Sequence, residues 1–151
     1  AAALAPFGER CRIYYTGVQR NASSVLRSQI HDKQNFDDKM LKIRDLGYDF
    51  VKALESQNYD TYGQLLHQHW IYKKQLSTKM TDFFIDKTYD FVKERRWILG
   101  GKIIGAGGGG FLMVYVPKEF EKVDSYMQKV GFTKVEYGLD EGGVQTIFRK
   151  L

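Results

Sequence analysis

The first readable stretch, Arg12-Ile13-Tyr14-Tyr15, is β-branched and aromatic, stops at Thr16-Gly17, and predicts a short strand. After it the apolar period lengthens from two to about three and a half. Asn21 or Ser23 can cap a helix carrying Ala22, Val25, Leu26 and Ile30. Met40, Ile43, Leu46, Phe50, Val51 and Leu54 recur at three- and four-residue spacing and predict a second helix from about Asp37. Asn58-Tyr59-Asp60 interrupts that pattern, and Asp60 or Thr61 starts a third helix with Tyr62, Leu65, Leu66, His69, Trp70 and Lys73 in phase. Thr81 or Asp82 caps a fourth, with Ile85, Tyr89, Val92 and Trp97 along one side. No proline stands between Pro6 and Pro117, as a long helical middle requires.

Past Gly100 the pattern returns to strands. Residues 102–105 and 111–116 flank a glycine-rich loop, and Pro117 closes the unit. A helix follows over 118–129 with Phe120, Val123 and Met127 apolar, then strands over 132–137 and 144–148 around a glycine turn. Strand, helices, hairpin, helix, strand, strand predicts an α+β fold. Its antiparallel sheet is of the ferredoxin-like (α-β plait) type, covered by helices on one face. A long helical insertion separates the first strand from the glycine-rich hairpin. Residues 1–10 are expected to be a disordered or added start and 11–151 a single domain, large enough to bury a real core. The missing initial Met suits a piece of a longer protein, and no signal peptide is expected.

The loop Gly105-Ala106-Gly107-Gly108-Gly109-Gly110 carries the clearest chemical signal. Glycine loses the most backbone entropy on ordering, so such a run weakens a fold unless something needs it. A run of N–H groups without Cβ atoms can cradle an anion, which makes phosphate the leading ligand. The string satisfies G-x-G-x-x-G, but a dinucleotide site needs it to open a helix. Here Phe111-Leu112-Met113-Val114-Tyr115-Val116 follows, which is a strand. A Walker A loop needs Gly-Lys-Ser/Thr after the glycines, and Gly110-Phe111-Leu112 does not supply it.

What remains is a glycine-rich hairpin, and here the chain resembles a known family. Lys102-x-x-Gly105-Ala106-Gly107-Gly108-Gly109-Gly110-Phe111 is similar to the third motif of the GHMP sugar and mevalonate kinases, in their C-terminal domain. Tyr14-Tyr15-Thr16-Gly17-x-x-Arg20-x-Ala22-Ser23 resembles the start of that domain in the heptose-phosphate and fucose kinase branch. Leu66-His67-x-x-Trp70-x-x-Lys73-Lys74-x-Leu76-Ser77, Ile85-Asp86-x-x-Tyr89 and Gly143-Val144-Gln145 continue the likeness. These flanking matches favour the heptose 7-phosphate kinases. The resemblance implies ATP-dependent transfer to a sugar or sugar-phosphate hydroxyl. It places Gly105, Ala106, Gly107, Gly108, Gly109 and Gly110 at a domain interface beside the reacting groups. No counterpart of the family's ATP-wrapping loop occurs in the chain. ATP, Mg2+ and the catalytic acid are therefore expected on an N-terminal kinase domain, with no catalytic residue and no metal ligand in this chain. A Gly108→Val change is expected to reduce activity far more than stability.

Arg20, His67, Lys73 and Lys74 are candidates for the anionic end of a phosphorylated sugar. A forked guanidinium suits phosphate, and His67 and Lys74 share a helix face while Lys73 lies about 100° away. A solvated helix face is the plainer alternative for the lysines. The formal charge of +5 is spread among acids, with no basic block, so no nucleic-acid partner is expected. The apolar runs fall far short of the roughly 20 residues of a membrane helix. One cysteine, Cys11, excludes an internal disulfide and fits a cytoplasmic protein. A homodimer is compatible with the chain. The competing class is a non-catalytic α+β module binding RNA or protein through an open sheet face. Phe111, Met113 and Tyr115 alternate with Leu112, Val114 and Val116, which predicts burial on both faces and speaks against it.

Overall fold

The computed structural model describes residues 5–19, 21–29, 33–138, 140 and 142. Four strands, β1 (Cys11–Tyr15), β2 (Gly100–Ile103), β3 (Phe111–Tyr115) and β4 (Thr133–Val135), form one sheet in the order β2-β3-β1-β4. Every neighbouring pair is antiparallel, so β1 and β2 run parallel on either side of β3. A parallel return needs a long crossover. Here it is α2 (Ala22–Gln29), α3 (Lys33–Glu55), α4 (Tyr59–Lys74) and α5 (Phe83–Glu94), while α6 (Phe120–Lys129) makes the return from β3 to β4. This is the α+β plait with the helical insertion that the pattern predicts.

Helix starts follow the capping residues. Asn21 Oδ1 accepts from Ser23 N at 2.9 Å, Asn58 Oδ1 from Thr61 N at 3.2 Å and Asp82 Oδ1 from Ile85 N at 2.9 Å. Several boundaries differ, among them α6, which begins at Phe120 rather than 118. Residues 5–10, expected to be disordered or added, form helix α1 (Ala5–Arg10). α3 begins at Lys33 rather than Asp37, β2 at Gly100 rather than 102, and β4 spans only Thr133–Val135. The strand expected over 144–148 lies outside the described residues.

Strand alternation divides the sheet into two faces. Tyr14, Leu112, Val114 and Ile103 point into the main core with Trp70, Ile85, Tyr89, Val92, Val123 and Met127. Cys11, paired with Tyr115, points the other way into a smaller cluster with Tyr59 and Leu66. Phe7 of α1 closes that cluster, its ring 4.6 Å from Tyr62 and 6.3 Å from Tyr115. The same face then opens. Tyr15 meets Phe111 at 5.4 Å, and Phe111 is 44% exposed. Burial on both faces of 111–116 therefore holds at the Tyr115 end and fails at Phe111. On the core side, Tyr14 Oη donates to Asp124 Oδ1 at 2.5 Å, and Lys134 pairs with the same carboxylate at 3.3 Å, which ties α6 to β1 and β4.

Two glycines let α4 lie against the sheet edge. A Cβ on Gly63 would sit 2.6 Å from the Tyr115 ring, and one on Gly100 2.5 Å from His67 N. Neither neighbour can retreat: Tyr115 is fully buried, and the other atom is helix backbone. Strand β2 thus opens on two glycines against strand propensity because backbone meets backbone there. Gly100→Ala is expected to cost about 2–4 kcal/mol by overpacking and backbone shift. Gly47→Ala, on α3 with open space around it, should instead stabilise by roughly 0.5–1 kcal/mol. Denaturant unfolding of both variants is the measurement.

Candidate functional site

The glycine loop between β2 and β3 is held from two sides. Gly108 N donates to Met80 O at 2.6 Å, and Gly110 N donates to Val18 O at 2.7 Å. Thr16 completes the clamp, its N and Oγ1 donating to Gly110 O at 2.8 and 3.0 Å. The close approach explains two of the glycines directly. A Cβ on Gly109 would lie 2.5 Å from Val18 O, and one on Gly107 3.1 Å from Met80 O, each at positive φ. Gly105 and Gly110 have nothing within 4 Å of a Cβ position. The loop is therefore a wall, pinned behind and bare in front. Two of its six N–H groups, those of Gly108 and Gly110, are spent on carbonyls of the chain itself. Gly108 is buried at φ +80, so Gly108→Val strains the clamp and carries a stability cost of its own.

The helix-borne cations have internal partners. Lys73 Nζ donates to Gly105 O at 2.5 Å and Ile103 O at 3.4 Å, which fixes the loop's first turn. Burial, with Lys102 nearby, lowers its amine to about 8. Lys74 Nζ pairs with Asp86 Oδ1 at 3.1 Å. His67 Nδ1 lies 2.7 Å from Tyr89 Oη. That hydroxyl also accepts from the Gly101 backbone, which ties α4 and α5 to the start of β2 through one hydrogen-bonded group. Burial first, then Lys93 and Lys74, lowers His67 below its ordinary value. Arg20 lies outside the described residues. The structure brings Lys73 to the loop and leaves His67 and Lys74 on their own partners.

Sequence reasoning passed over Val18 and Met80, which grip the loop through backbone carbonyls that no side-chain motif reveals. It also passed over His69 and Lys102. Lys102 stands opposite Met113 in the β2–β3 ladder, and burial lowers its amine. His69 Nδ1 is buried with no hydrogen-bond partner. Burial first, then Lys102 and Lys73, brings His69 down to about 4. Among the described residues no group of three or more His, Cys, Asp or Glu could hold a metal ion, and no helix is long and apolar enough to cross a membrane.

With this geometry in place, comparison with known proteins is informative. The curated relatives are sugar kinases of the GHMP group. The chain is 25% identical over 126 residues to a bifunctional fucokinase/GDP-fucose pyrophosphorylase of Arabidopsis thaliana, covering 81% of this chain and 12% of that protein. It is 26% identical over 136 residues to D-glycero-alpha-D-manno-heptose 7-phosphate kinase of Campylobacter jejuni, covering 83% of this chain and 40% of the kinase. A galactokinase of Thermotoga neapolitana is 35% identical over 77 residues, 48% of this chain and 21% of its own length. These matches reach the kinase group without selecting the heptose branch. The fold is also that of phosphomevalonate kinase of Streptococcus pneumoniae, solved with phosphomevalonate and AMPPNP. That structure has a TM-score of 0.68 at 15% identity, over 83% of this chain and 38% of that one. No protein-family model matches the chain. The chain spans well under half the length of each of these relatives.

Two outcomes are expected from this geometry. Gly109→Ala combines a left-handed backbone with a clash against Val18 O and should cost about 2–4 kcal/mol. Gly110→Ala carries only the backbone term, about 1–2 kcal/mol. Denaturant midpoints separate the two. The second concerns His69. Its folded-state value lies below the ordinary 6.5, at about 4, so the unfolded chain binds the proton more readily between those limits. Stability should be full above about 6.5 and fall as pH drops toward 4. His69→Phe should flatten part of that decline in melting temperature measured against pH.

Proposed function

We propose that the chain is the C-terminal part of a cytoplasmic GHMP sugar kinase. The complete enzyme moves the γ-phosphate of ATP to a hydroxyl of a sugar or sugar phosphate. D-glycero-D-manno-heptose 7-phosphate is the acceptor that the sequence favours. The observation that carries this reading is the clamped loop: a rigid backbone wall with no side chains at Gly105 and Gly110, in a chain whose relatives are sugar kinases. Phosphoryl transfer depends on positioning and electrostatics more than on covalent chemistry. A bare wall lets the reacting groups come close, keeps water away, and holds its place because Val18, Met80 and Lys73 fix it from behind. Among the described residues no cluster of His, Cys, Asp or Glu could hold Mg2+, and the N–H groups of Gly108 and Gly110 are turned to carbonyls of the chain rather than to a triphosphate. Both requirements fall to the N-terminal kinase domain in this reading.

One observation favours the second reading, a non-catalytic binding module. Tyr15 and Phe111 form an aromatic pair on the open part of the sheet face, a surface on which bases stack in RNA-binding sheets. A single assay separates the two. The complete protein, incubated with ATP, Mg2+ and a panel of sugars and sugar phosphates, should form ADP with one acceptor class, while the isolated 151 residues should form none. Turnover by the isolated chain would overturn the half-enzyme reading. An inactive complete protein that binds single-stranded RNA would favour the module.

A further inference from the structure

Beside the clamp lies a groove that the sequence does not single out. The segment that supplies Val18 continues into α2, and the turn that supplies Met80 begins with Ser77 and Lys79. Between them is an open groove of about 470 Å3 lined by Asn21, Ser23, Ser24, Arg27, Ser28 and Lys79. Buried Val25 anchors α2 in the main core, which leaves Ser24, Arg27 and Ser28 on one outward helix face.

Cross-links hold the walls together. Lys79 Nζ donates to Ser24 Oγ at 3.1 Å, and Lys79 N donates to Ser77 Oγ at 3.0 Å. Ser77 Oγ and Ser28 Oγ lie 2.6 Å apart, and Ser28 Oγ donates to Val25 O at 2.6 Å. The direction of this chain is therefore set: Ser77 donates to Ser28. Asn21 Oδ1, the lining carboxamide oxygen, is already used as the helix cap.

What the groove still offers is a set of donors. Two protons of Lys79, the hydroxyls of Ser23 and Ser24 and the five N–H groups of Arg27 remain. Among the described residues no carboxylate lines it, and neither Arg27 nor Lys79 has an acidic partner. A bare sugar would find only the neutral Ser23 and Ser24 oxygens as acceptors and would leave both cations without an anionic partner. A phosphate monoester needs donors alone, and a guanidinium fork beside an ammonium suits it. The cations that sequence reasoning favoured differ here: Lys73 and Lys74 are spent on carbonyls and on Asp86.

We propose that the groove between α2 and the turn after α4 binds the phosphate group of a phosphorylated small molecule, with Arg27 and Lys79 as its charged contacts. The assignment of that phosphate to the acceptor of a kinase rests on the function proposed above; the groove's preference for phosphate does not. The test is amide NMR of the chain titrated at constant ionic strength with inorganic phosphate, glucose 6-phosphate and glucose. Phosphate and glucose 6-phosphate should shift Ser23, Ser24, Arg27 and Lys79, and glucose should not. Arg27→Gln and Lys79→Gln should each weaken binding about tenfold, while Arg27→Lys should retain most of it. These positions are exposed, so the variants should remain folded, and an unchanged amide spectrum elsewhere checks this. Absence of shifts, shifts of equal size with glucose, or unchanged affinity in both Gln variants would each overturn the proposal. In the complete protein, a kinase that keeps its KM for a sugar phosphate in both Gln variants would overturn the assignment of the groove to the acceptor but not the kinase. Phosphate binding without any kinase activity would do the reverse.

Discussion

Two backbone carbonyls, Val18 O and Met80 O, decide the shape of the loop that the rest of the molecule is arranged around. A carbonyl oxygen cannot rotate away from its own chain, so the strand-to-strand connection must yield to it. Only glycine yields far enough, because the required backbone is left-handed and the oxygen occupies the place of a Cβ. The demand also runs outward. The turn after β1 must meet the turn before α5, so α2 and α4 must bring those turns to the same end of the sheet. The backbone contact of α4 with β2 at Gly63 and Gly100 is the matching constraint along the sheet edge.

The electrostatics follow from the same packing. A helix laid against a sheet edge takes its long cationic side chains into partly dry surroundings, where an ammonium is costly unless it meets acceptors. Lys73 finds carbonyls and Lys74 finds Asp86. His67 avoids the cost by staying neutral against Tyr89, and His69 does so with no partner for Nδ1 at all. Positive charge near the loop is thus largely structural. Lys102 is half-buried beside Lys73 and His69, and the exposed cations Arg27 and Lys79 stand farther along the clamp, on α2 and the turn after α4.

Local chemistry was readable in the sequence wherever it stayed local. Asp82 and Asn21 announce their helices because a cap needs only the next three residues, while Asn58, read as a break, turns out to cap α4; the alternating run around Tyr14 announces β1. The plait order followed from the succession of elements. Long-range choices were not readable. Gly100 and Gly101 look like loop residues until α4 is placed beside them. Lys73, Lys74 and His67 form a plausible anion-binding set until their partners, 12 to 32 residues away in the chain, are known. The glycine run itself stood out through its likeness to a kinase motif. That Val18 and Met80 hold it was not, because a backbone carbonyl leaves no mark on side-chain identity.

The sheet's central pairing joins Cys11 to Tyr115 and Tyr15 to Phe111, with the whole helical insertion between them. During synthesis β1 therefore emerges long before its partner exists. It waits as an unpaired apolar strand while the α3–α4 pair, built from neighbouring segments, forms on its own timescale. Loop-closure entropy grows only slowly with length, but non-local pairings are the ones that slow folding. The glycine loop cannot take its shape until the turn after β1, the turn after α4 and the start of β3 have met, because Val18, Met80 and Phe111 bound it. The most exacting geometry in the chain thus waits on three distant segments, and until β3 arrives β1 is a strand open to pairing with the wrong neighbour.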